Sequence, residues 1–140
     1  KNTDAAWRAN RRDAMAILKR EAELEELVRL VGMDSLSPGE RLLLEAARMI
    51  REDFLHQNAF EELDQYTSLG KQFLMLDAIM AFYRKASDVL DKGAALSRIL
   101  EVKAIEEISR VKLTPEGTPE EFAALGSRVR AQLEALLKGE

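Results

Sequence analysis

A long run of helical periodicity that ends at a glycine constrains the fold of this chain more than any other feature. Between Ala5 and Val31 the apolar residues recur mostly at steps of three and four, which is the spacing of one face of an α-helix. Gly32 follows, and glycine often ends helices because it adopts a positive φ without strain. We therefore predict a helix over Ala5–Val31 whose apolar stripe contains Met15, Leu18, Ala22, Leu24, Leu27, Val28 and Val31.

The residues after Gly32 predict a sharp corner followed by a second helix. Ser37 and Glu40 have the residue types and the spacing of a capping box, and Pro38 stands at the first helical position, where no amide donor is needed. We expect this second helix to run from Pro38 to about Leu55. Its predicted buried side holds Leu43, Ala46, Ala47, Ile50 and Phe54.

The rest of the chain also carries helix signals, and no segment alternates apolar and polar residues as a strand would. The expected helices are a short one from Asn58 to near Gln65, a long one over about Leu69–Asp91 closed by Gly93, two short ones over 95–100 and 102–111, and a last one, opened by a capping box at Thr118, to about Lys138. The sequence thus predicts an all-α fold: a single helical domain over residues 1–140, a multi-helix bundle built on a long antiparallel helical hairpin.

The amino-acid composition excludes several classes of protein and of binding site. The chain has no cysteine, which excludes disulfides and thiolate metal sites, and no apolar run long enough to span a membrane. Residues 1–20 carry six basic and two acidic groups, whereas residues 21–66 carry four basic and twelve acidic groups. Because the basic residues form no concentrated stripe, we do not expect nucleic acid as a partner.

The sequence shows no set of catalytic or metal-ligating residues. His56 is the only histidine, and a di-iron bundle would need paired Glu-x-x-His motifs, whereas here only Asp53 precedes it by three. The one Gly-Lys step, Gly70-Lys71, lacks the glycine and the hydroxyl residue of a phosphate-binding loop. The isolated chain is therefore not expected to hydrolyse or synthesise a nucleotide.

Three strings in order, with similar spacing, carry a family resemblance: RRDAMAILKREAELEELVRLVG, REDFLHQNAFEELDQYTS and KQFLMLDAIMAFY. With them the chain resembles the C-terminal helical domain of the catalytic A subunit of V/A-type rotary ATPases and, more distantly, the matching domain of the F-type beta subunit. The resemblance runs from Trp7 to about Gly93 and implies that the chain is a C-terminal fragment of a larger nucleotide-binding subunit.

The resemblance first implies a contact with the rotating central shaft. In the F-type relative this contact is made by a loop with the sequence DELSEED. Asp34, Leu36 and Ser37 match that loop and Glu40 keeps its last acidic position, whereas three acidic residues between are replaced by uncharged ones. The sequence therefore favours a capped, stiff corner that pushes the shaft by steric contact, and not a corner that acts through dense negative charge. The implied contact residues are Asp34, Ser35, Leu36, Ser37, Pro38, Gly39 and Glu40.

The resemblance also implies an adenine pocket. The two aromatic residues that wall this pocket in the relatives have their places here at Phe60 and Tyr66. A base stacks on either kind of ring. The phosphates of ATP or ADP, with Mg, would lie on a nucleotide-binding domain that precedes Lys1, so no ligand is expected on the isolated domain.

Taken together, the resemblance implies a domain that contributes to the adenine pocket and transmits nucleotide-driven motion to the rotor for proton or sodium transport. The implied partners are the upstream domain, the B subunits and the central-stalk subunits, in a cytoplasmic head peripheral to the membrane.

From the residues alone a free-standing helical adaptor remains an alternative, with the acidic 21–66 segment binding a basic partner. An upstream reading frame with a phosphate-binding loop would favour the ATPase, and a start codon near residue 1 the adaptor.

Overall fold

The computed structural model describes residues 2–55, 68–111 and 119–138, and within these ranges every regular element is helical. This confirms the all-α fold class. The elements are α1 (Asn2–Val31), a 3₁₀ turn (Met33–Ser35), α2 (Pro38–Met49), a π-helical turn (Ile50–Leu55), α3 (Ser68–Asp91), α4 (Leu96–Leu100), α5 (Lys103–Val111), α6 (Pro119–Ala135) and a second 3₁₀ turn (Leu136–Lys138).

Glycines end the long helices where the sequence predicts. Gly32, with φ of 94°, follows α1, and Gly93, with φ of 112°, follows α3. The second predicted helix reaches Leu55 as expected, but its last part is π-helical rather than α-helical. The short helix predicted from Asn58 and the capping box at Thr118 lie outside the described residues.

Helix α3 lies at the centre of the fold, because it contacts each of the other five α-helices in the described part of the chain. Phe82 is fully buried, and apolar residues on several sides of α3 are buried with it. A helix that is apolar on more than one side is typical of the inside of a bundle. The buried residues of α3 are Met75, Leu76, Ala78, Ile79, Met80, Phe82, Ala86 and Val89.

The structure corrects the predicted buried stripe of α1. Met15 and Val31 belong to that stripe, yet they are 62% and 60% exposed. The face that packs inward contains two polar residues, and one of them, Asn10, donates from Nδ2 to Asp77 Oδ1 at 3.2 Å. A buried polar side chain is stable only with such a partner, which apolar spacing does not reveal. The observed buried face is Asn10, Ala14, Ile17, Glu21 and Leu24.

The buried side of α2 agrees more closely with its prediction. Ala46, Ala47 and Ile50 are buried as expected, and Leu43 is partly buried against the core. Leu42 and Met49, which the prediction did not include, are also fully buried. The side chain of Phe54 lies outside the described residues. Alanines at the centre of this face allow α2 to approach the neighbouring helices closely.

An ion pair joins α1 to the turn that follows α2. Arg51 donates from Nε to the two carboxylate oxygens of Glu21 at 3.2 and 3.1 Å, and its Nη2 lies 2.7 Å from Glu21 Oε2. The Glu21 side chain is only 9% exposed. The pair therefore holds α1 against the π-helical turn that follows α2.

Although α1 and α2 contact one another, the long antiparallel hairpin stays a prediction.

In the last third of the chain, α6 makes the most extensive contact with α3, and α4 and α5 contact α3 as well. Lys85 of α3 forms an ion pair with Glu134 of α6, and Arg128 of α6 donates to Glu107 of α5 at 3.2 Å. The hydrogen bond from Lys85 holds the pKa of the Glu134 carboxyl below its usual range. The buried apolar residues of α6 are Leu125, Val129 and Leu133.

We predict that Arg51→Ala destabilises the chain because it leaves the nearly buried Glu21 carboxylate without its guanidinium partner. The expected loss in the free energy of unfolding is about 2 kcal/mol, which is below the range for a fully buried pair because Arg51 is half exposed. Urea unfolding measures it. Arg12→Ala is the matched control, since Arg12 also pairs with a carboxylate but is largely exposed, and it should cost under about 0.5 kcal/mol. Equal, small losses in both variants would contradict the prediction.

Candidate functional site

The corner between α1 and α2 begins with a helix stop. The Gly32 amide donates to the Val28 carbonyl at 2.8 Å, which closes the last turn of α1, and the positive φ of Gly32 then turns the chain away. A Cβ at this position would meet no atom within 4 Å. Glycine is therefore required here for its backbone conformation, and not because a side chain would clash. After the 3₁₀ turn, Leu36 is buried and anchors the corner from within.

Side chains tie the corner to its own backbone. Ser35 Oγ donates to the Gly32 carbonyl at 2.7 Å. Arg41, in the first turn of α2, donates from Nη2 to the Met33 carbonyl at 3.3 Å, and the same nitrogen lies 3.5 Å from Asp34 Oδ1. Both sides of the 3₁₀ turn are thus bonded to neighbouring residues, which restricts the conformations that the turn can adopt.

The predicted capping box is formed. The Glu40 amide donates to Ser37 Oγ at 3.1 Å, and the Ser37 amide donates to Glu40 Oε1 at 2.9 Å. The other oxygen of Glu40 accepts a hydrogen bond from Arg20 of α1 at 3.3 Å. Glu40 therefore both closes the start of α2 and attaches it to α1.

The seven corner residues that the resemblance assigns to the shaft contact differ in exposure. Leu36 is buried, Glu40 is partly exposed, and the other five are exposed, namely Asp34, Ser35, Ser37, Pro38 and Gly39. The corner thus presents a mostly polar surface around one inward-facing leucine. Leu36 does not offer its side chain to a partner in this conformation.

Exposed apolar side chains lie on the last turns of α1 and in the 3₁₀ turn, and sequence analysis did not identify them as exposed. Leu30, Val31 and Met33 are 75%, 60% and 51% exposed, and Leu27 is 37% exposed. Their helical spacing is the same for a buried and an exposed stripe, so the sequence alone had no signal that would separate the two. The difference arises because the buried face of α1 ends at Leu24.

A shallow groove lies beside the corner. It has a volume of about 490 Å³ and is lined from the corner, the first turn of α2 and α4. Its apolar lining includes Leu100, which is itself exposed. The lining residues are Leu36, Pro38, Arg41, Leu96, Ser97 and Leu100.

Comparison with known proteins decides the family. A family model described as the C-terminal domain of V and A type ATP synthase matches residues 1–100. The chain belongs to this family. The V-type ATP synthase alpha chain of Acetivibrio thermocellus is 48% identical over 140 residues, and the A subunit of the A-type ATP synthase of Staphylothermus marinus is 48% identical over 139 residues. Each alignment covers 99% of this chain and 24% of the relative.

Similarity extends beyond the limit expected from the sequence. The three strings place the end of the resemblance near Gly93, but the family match continues to residue 100 and the relatives align with nearly the whole chain. In the A-type ATP synthase of Methanopyrus kandleri, the A subunit is 47% identical over 133 residues, which are 94% of this chain and 22% of the relative. The chain thus spans about a quarter of the length of these relatives, and α4, α5 and α6 belong to the shared part.

The second candidate site of this C-terminal domain, the adenine pocket, cannot be built from the described residues. Phe60, Tyr66 and His56 all lie outside them. The structure does describe the π-helical turn that precedes these residues along the chain. Besides the bond from Arg51 to Glu21, this turn is held by Arg48, whose Nη1 donates to Glu52 Oε1 at 3.0 Å.

Another groove, between α1, α2 and α3, was not anticipated from the sequence. Its volume is about 390 Å³, and an ion pair of Arg84 with Asp13, at 2.9 Å, lies in its wall. The apolar lining is Ala16, Ile17, Leu43, Met80 and the half-buried Tyr83.

Among the described residues there is no group of three His, Cys, Asp or Glu side chains that could hold a metal ion. Nor does any described helix have the length and apolarity needed to cross a bilayer.

We predict that Ser37→Ala destabilises the corner, because the amide of Glu40 loses its acceptor and the capping box opens. The free energy of unfolding should fall by about 1 kcal/mol, as measured by urea unfolding followed by circular dichroism. Ser127→Ala, at an exposed position inside α6, is the control and should not destabilise, since alanine favours a helix interior. An unchanged unfolding curve for Ser37→Ala would show that the cap contributes nothing.

Proposed function

We propose that this domain transmits nucleotide-driven movement of its parent A subunit to a rotating central shaft, through the corner Asp34–Glu40. The observation that supports the proposal most is the corner's construction. A glycine stop, a hydrogen-bonded 3₁₀ turn and a capping box join two helices in sequence. These bonds restrict the conformations of the corner, so the start of α2 is held relative to the end of α1.

The length of α1 suits a lever. Its 30 residues, at ~1.5 Å each, give a rod of about 45 Å. The middle of the rod is fixed by Glu21, which binds Arg51, and by the inward-facing Ala14, Ile17 and Leu24. Because interiors of this density deform little, movement of the bundle as a rigid body is delivered at the corner.

The composition of the corner favours steric pushing over attraction between charges. Of its exposed residues only Asp34 is acidic, and Arg41 of the same chain partly neutralises it. A solvent-exposed charge that already has a partner contributes little to a contact. Stiffness is then the property that the contact requires, and the hydrogen bonds of Ser35, Ser37 and Arg41 supply it.

Within the same proposal, Phe60 and Tyr66 form part of the wall of an adenine pocket. The support is the family membership and the type of these two side chains, since an apolar ring binds a purine by stacking. ATP or ADP would bind with Mg to the full subunit, with its phosphates on the upstream nucleotide-binding domain. Closing this pocket would swing the corner inward against the shaft.

The partners in this proposal are the B subunits, the central-stalk subunits and the upstream part of the same polypeptide. The assembled head would be cytoplasmic and peripheral to the membrane, and it would couple ATP synthesis or hydrolysis to the transport of protons or sodium. The relatives are named as V-type and A-type ATP synthase chains, which agrees with this assignment.

The adenine assignment predicts a loss of nucleotide affinity. In the full subunit, Phe60→Ala and Tyr66→Ala should each weaken ATP binding about tenfold, because each removes a ring that stacks on the base. Phe60→Tyr and Tyr66→Phe are the matched controls, and they should retain affinity because stacking survives. Isothermal titration with ATP measures all four variants. Unchanged affinity in both alanine variants would rule out the pocket.

The corner assignment predicts proximity to the shaft. The chain has no cysteine, so Ser35→Cys introduces the only thiol in this domain, at an exposed position of the corner. In the assembled complex it should cross-link to cysteines placed along the shaft protein. Met15→Cys is the control, because Met15 is also exposed but lies on α1 about 25 Å from its end. Failure of Ser35→Cys to cross-link at every rotor position would argue against the contact.

A further inference from the structure

The groove between α1, α2 and α3 has an apolar lining and charged side chains at its rim. Its volume of about 390 Å³ is within the range of sites that bind small molecules. We name it the three-helix groove. It is bounded by Asp13 and Arg20 on α1, Leu43 on α2, and Met80 and Arg84 on α3.

Helical spacing explains how the walls of the three-helix groove are formed. On α1, Asp13, Ala16 and Arg20 recur at steps of three and four, so they lie along one face over about 10 Å. On α3, Arg84 follows Met80 by four residues in the same way. Ala16 is exposed and has only a methyl group as its side chain, which leaves the middle of the α1 wall open.

The deeper lining of the three-helix groove is apolar. Ile17 and Met80 are buried, and Leu43 and Tyr83 are half-buried. A molecule that entered the groove would cover the accessible parts of these side chains and displace water from them, which favours an apolar body.

The rim at Asp13 carries more positive than negative charge. Arg84 donates from Nη2 to Asp13 Oδ2 at 2.9 Å, and Arg12 donates from Nε to Asp13 Oδ1 at 3.3 Å. The hydrogen bond from Arg84 holds the pKa of the Asp13 carboxyl below its usual range, so the carboxylate is ionised near neutral pH. Two guanidinium groups therefore share one carboxylate, and this end of the groove has a net positive charge.

Arg84 retains donors for a second carboxylate. A guanidinium group has five N–H donors, and within the described part of the chain Arg84 bonds through Nη2 alone. Its side chain is half exposed, so the remaining donors are accessible from solvent. The planar donors of arginine match the two oxygens of a carboxylate, which makes arginine the usual partner of this group.

The rim at Arg20 has the opposite balance of charge. Arg20 donates from Nη1 to Glu23 Oε1 at 3.0 Å and from Nη2 to Glu40 Oε2 at 3.3 Å. One guanidinium group here serves two carboxylates, so this end has a net negative charge. An anionic group is therefore expected at the Arg84 end of the groove and not at the Arg20 end.

We propose that the three-helix groove binds an amphipathic carboxylate, a small molecule with one carboxylate group and an apolar body. The carboxylate accepts hydrogen bonds from Arg84, and the apolar body lies along Ala16 and covers Met80 and Tyr83. None of the corner residues Asp34–Glu40 lines this groove. The inference therefore goes beyond the proposed shaft contact and does not rest on it.

The test uses the full-length A subunit with ¹³C-labelled methionine methyl groups and decanoate as the probe. Decanoate should shift the methyl resonance of Met80, which Met80→Leu identifies, with a dissociation constant of about 1 mM or lower. The resonance of Met33, which is exposed but does not line the groove, should not move. Octanoate should bind about fourfold more weakly, because two methylene groups that the groove half covers are lost.

Charge variants test the recognition of the carboxylate. Arg84→Gln should weaken decanoate binding about tenfold. Asp13→Asn should strengthen it about threefold, because the carboxylate that competes for Arg84 is removed. Arg20→Gln is the matched control and should change the affinity less than about twofold. Octanol, which is uncharged, should shift Met80 far less than octanoate does at equal concentration, and Arg84→Gln should not alter its effect.

A pair of leucine substitutions tests the location of the site. Ala16→Leu fills the open wall of the groove and should weaken decanoate binding at least about tenfold. Ala22→Leu is the control, because it adds the same side chain at an exposed position of α1 outside the groove, and it should leave the affinity unchanged. Leucine suits a helix interior, so both variants should keep the midpoint of thermal unfolding of the full-length subunit.

Three results would overturn the inference. If decanoate does not shift Met80, or if Ala16→Leu and Ala22→Leu bind decanoate equally well, the groove is not the site. If octanol binds as tightly as octanoate and Arg84→Gln has no effect, the groove does not recognise a carboxylate. None of these results bears on the cross-link expected from Ser35→Cys, which is measured without the probe.

Discussion

Burial of α3 is the constraint on which the rest of the structure depends. This helix contacts the other five α-helices of the described residues, and its Met75, Leu76, Ile79 and Phe82 are inaccessible to solvent. Since close-packed interiors deform little, the elements around α3 are held in fixed positions. The last turns of α1 are less covered, because Leu24 is the last buried residue of that helix, whereas the corner that follows is attached to the fold by the buried Leu36.

Helix ends could be predicted from the sequence because they depend on local chemistry. Gly32 and Gly93 end their helices through positive φ, and Ser37 starts α2 through hydrogen bonds made within four residues. Such features involve only neighbours in the chain, so residue type and spacing suffice to identify them. The fold class follows from the same signals repeated along the chain.

Long-range features could not be predicted in the same way. Asn10 and Glu21 face inward only because Asp77 and Arg51, which are distant in sequence, supply their partners. The apolar spacing of α1 is compatible with more than one buried face. The bonds of Asn10 and Glu21 determine which face packs inward. Likewise, Val31 is exposed because no other described element covers the end of α1. The resemblance identified the corner by its sequence, but whether its residues face outward or inward required the packed structure.

The corner uses one signal to end α1 and another to start α2. Gly32 stops the first rod and Ser37 starts the second, and neither signal needs the other. Between them, however, Leu36 is buried and Arg41 donates back to the Met33 carbonyl, so the stretch is fixed to its surroundings as well as to both helices. A residue added or removed there would displace Leu36 from its packing. The length of the corner is therefore set by one leucine, although the two ends of the corner are set by separate signals.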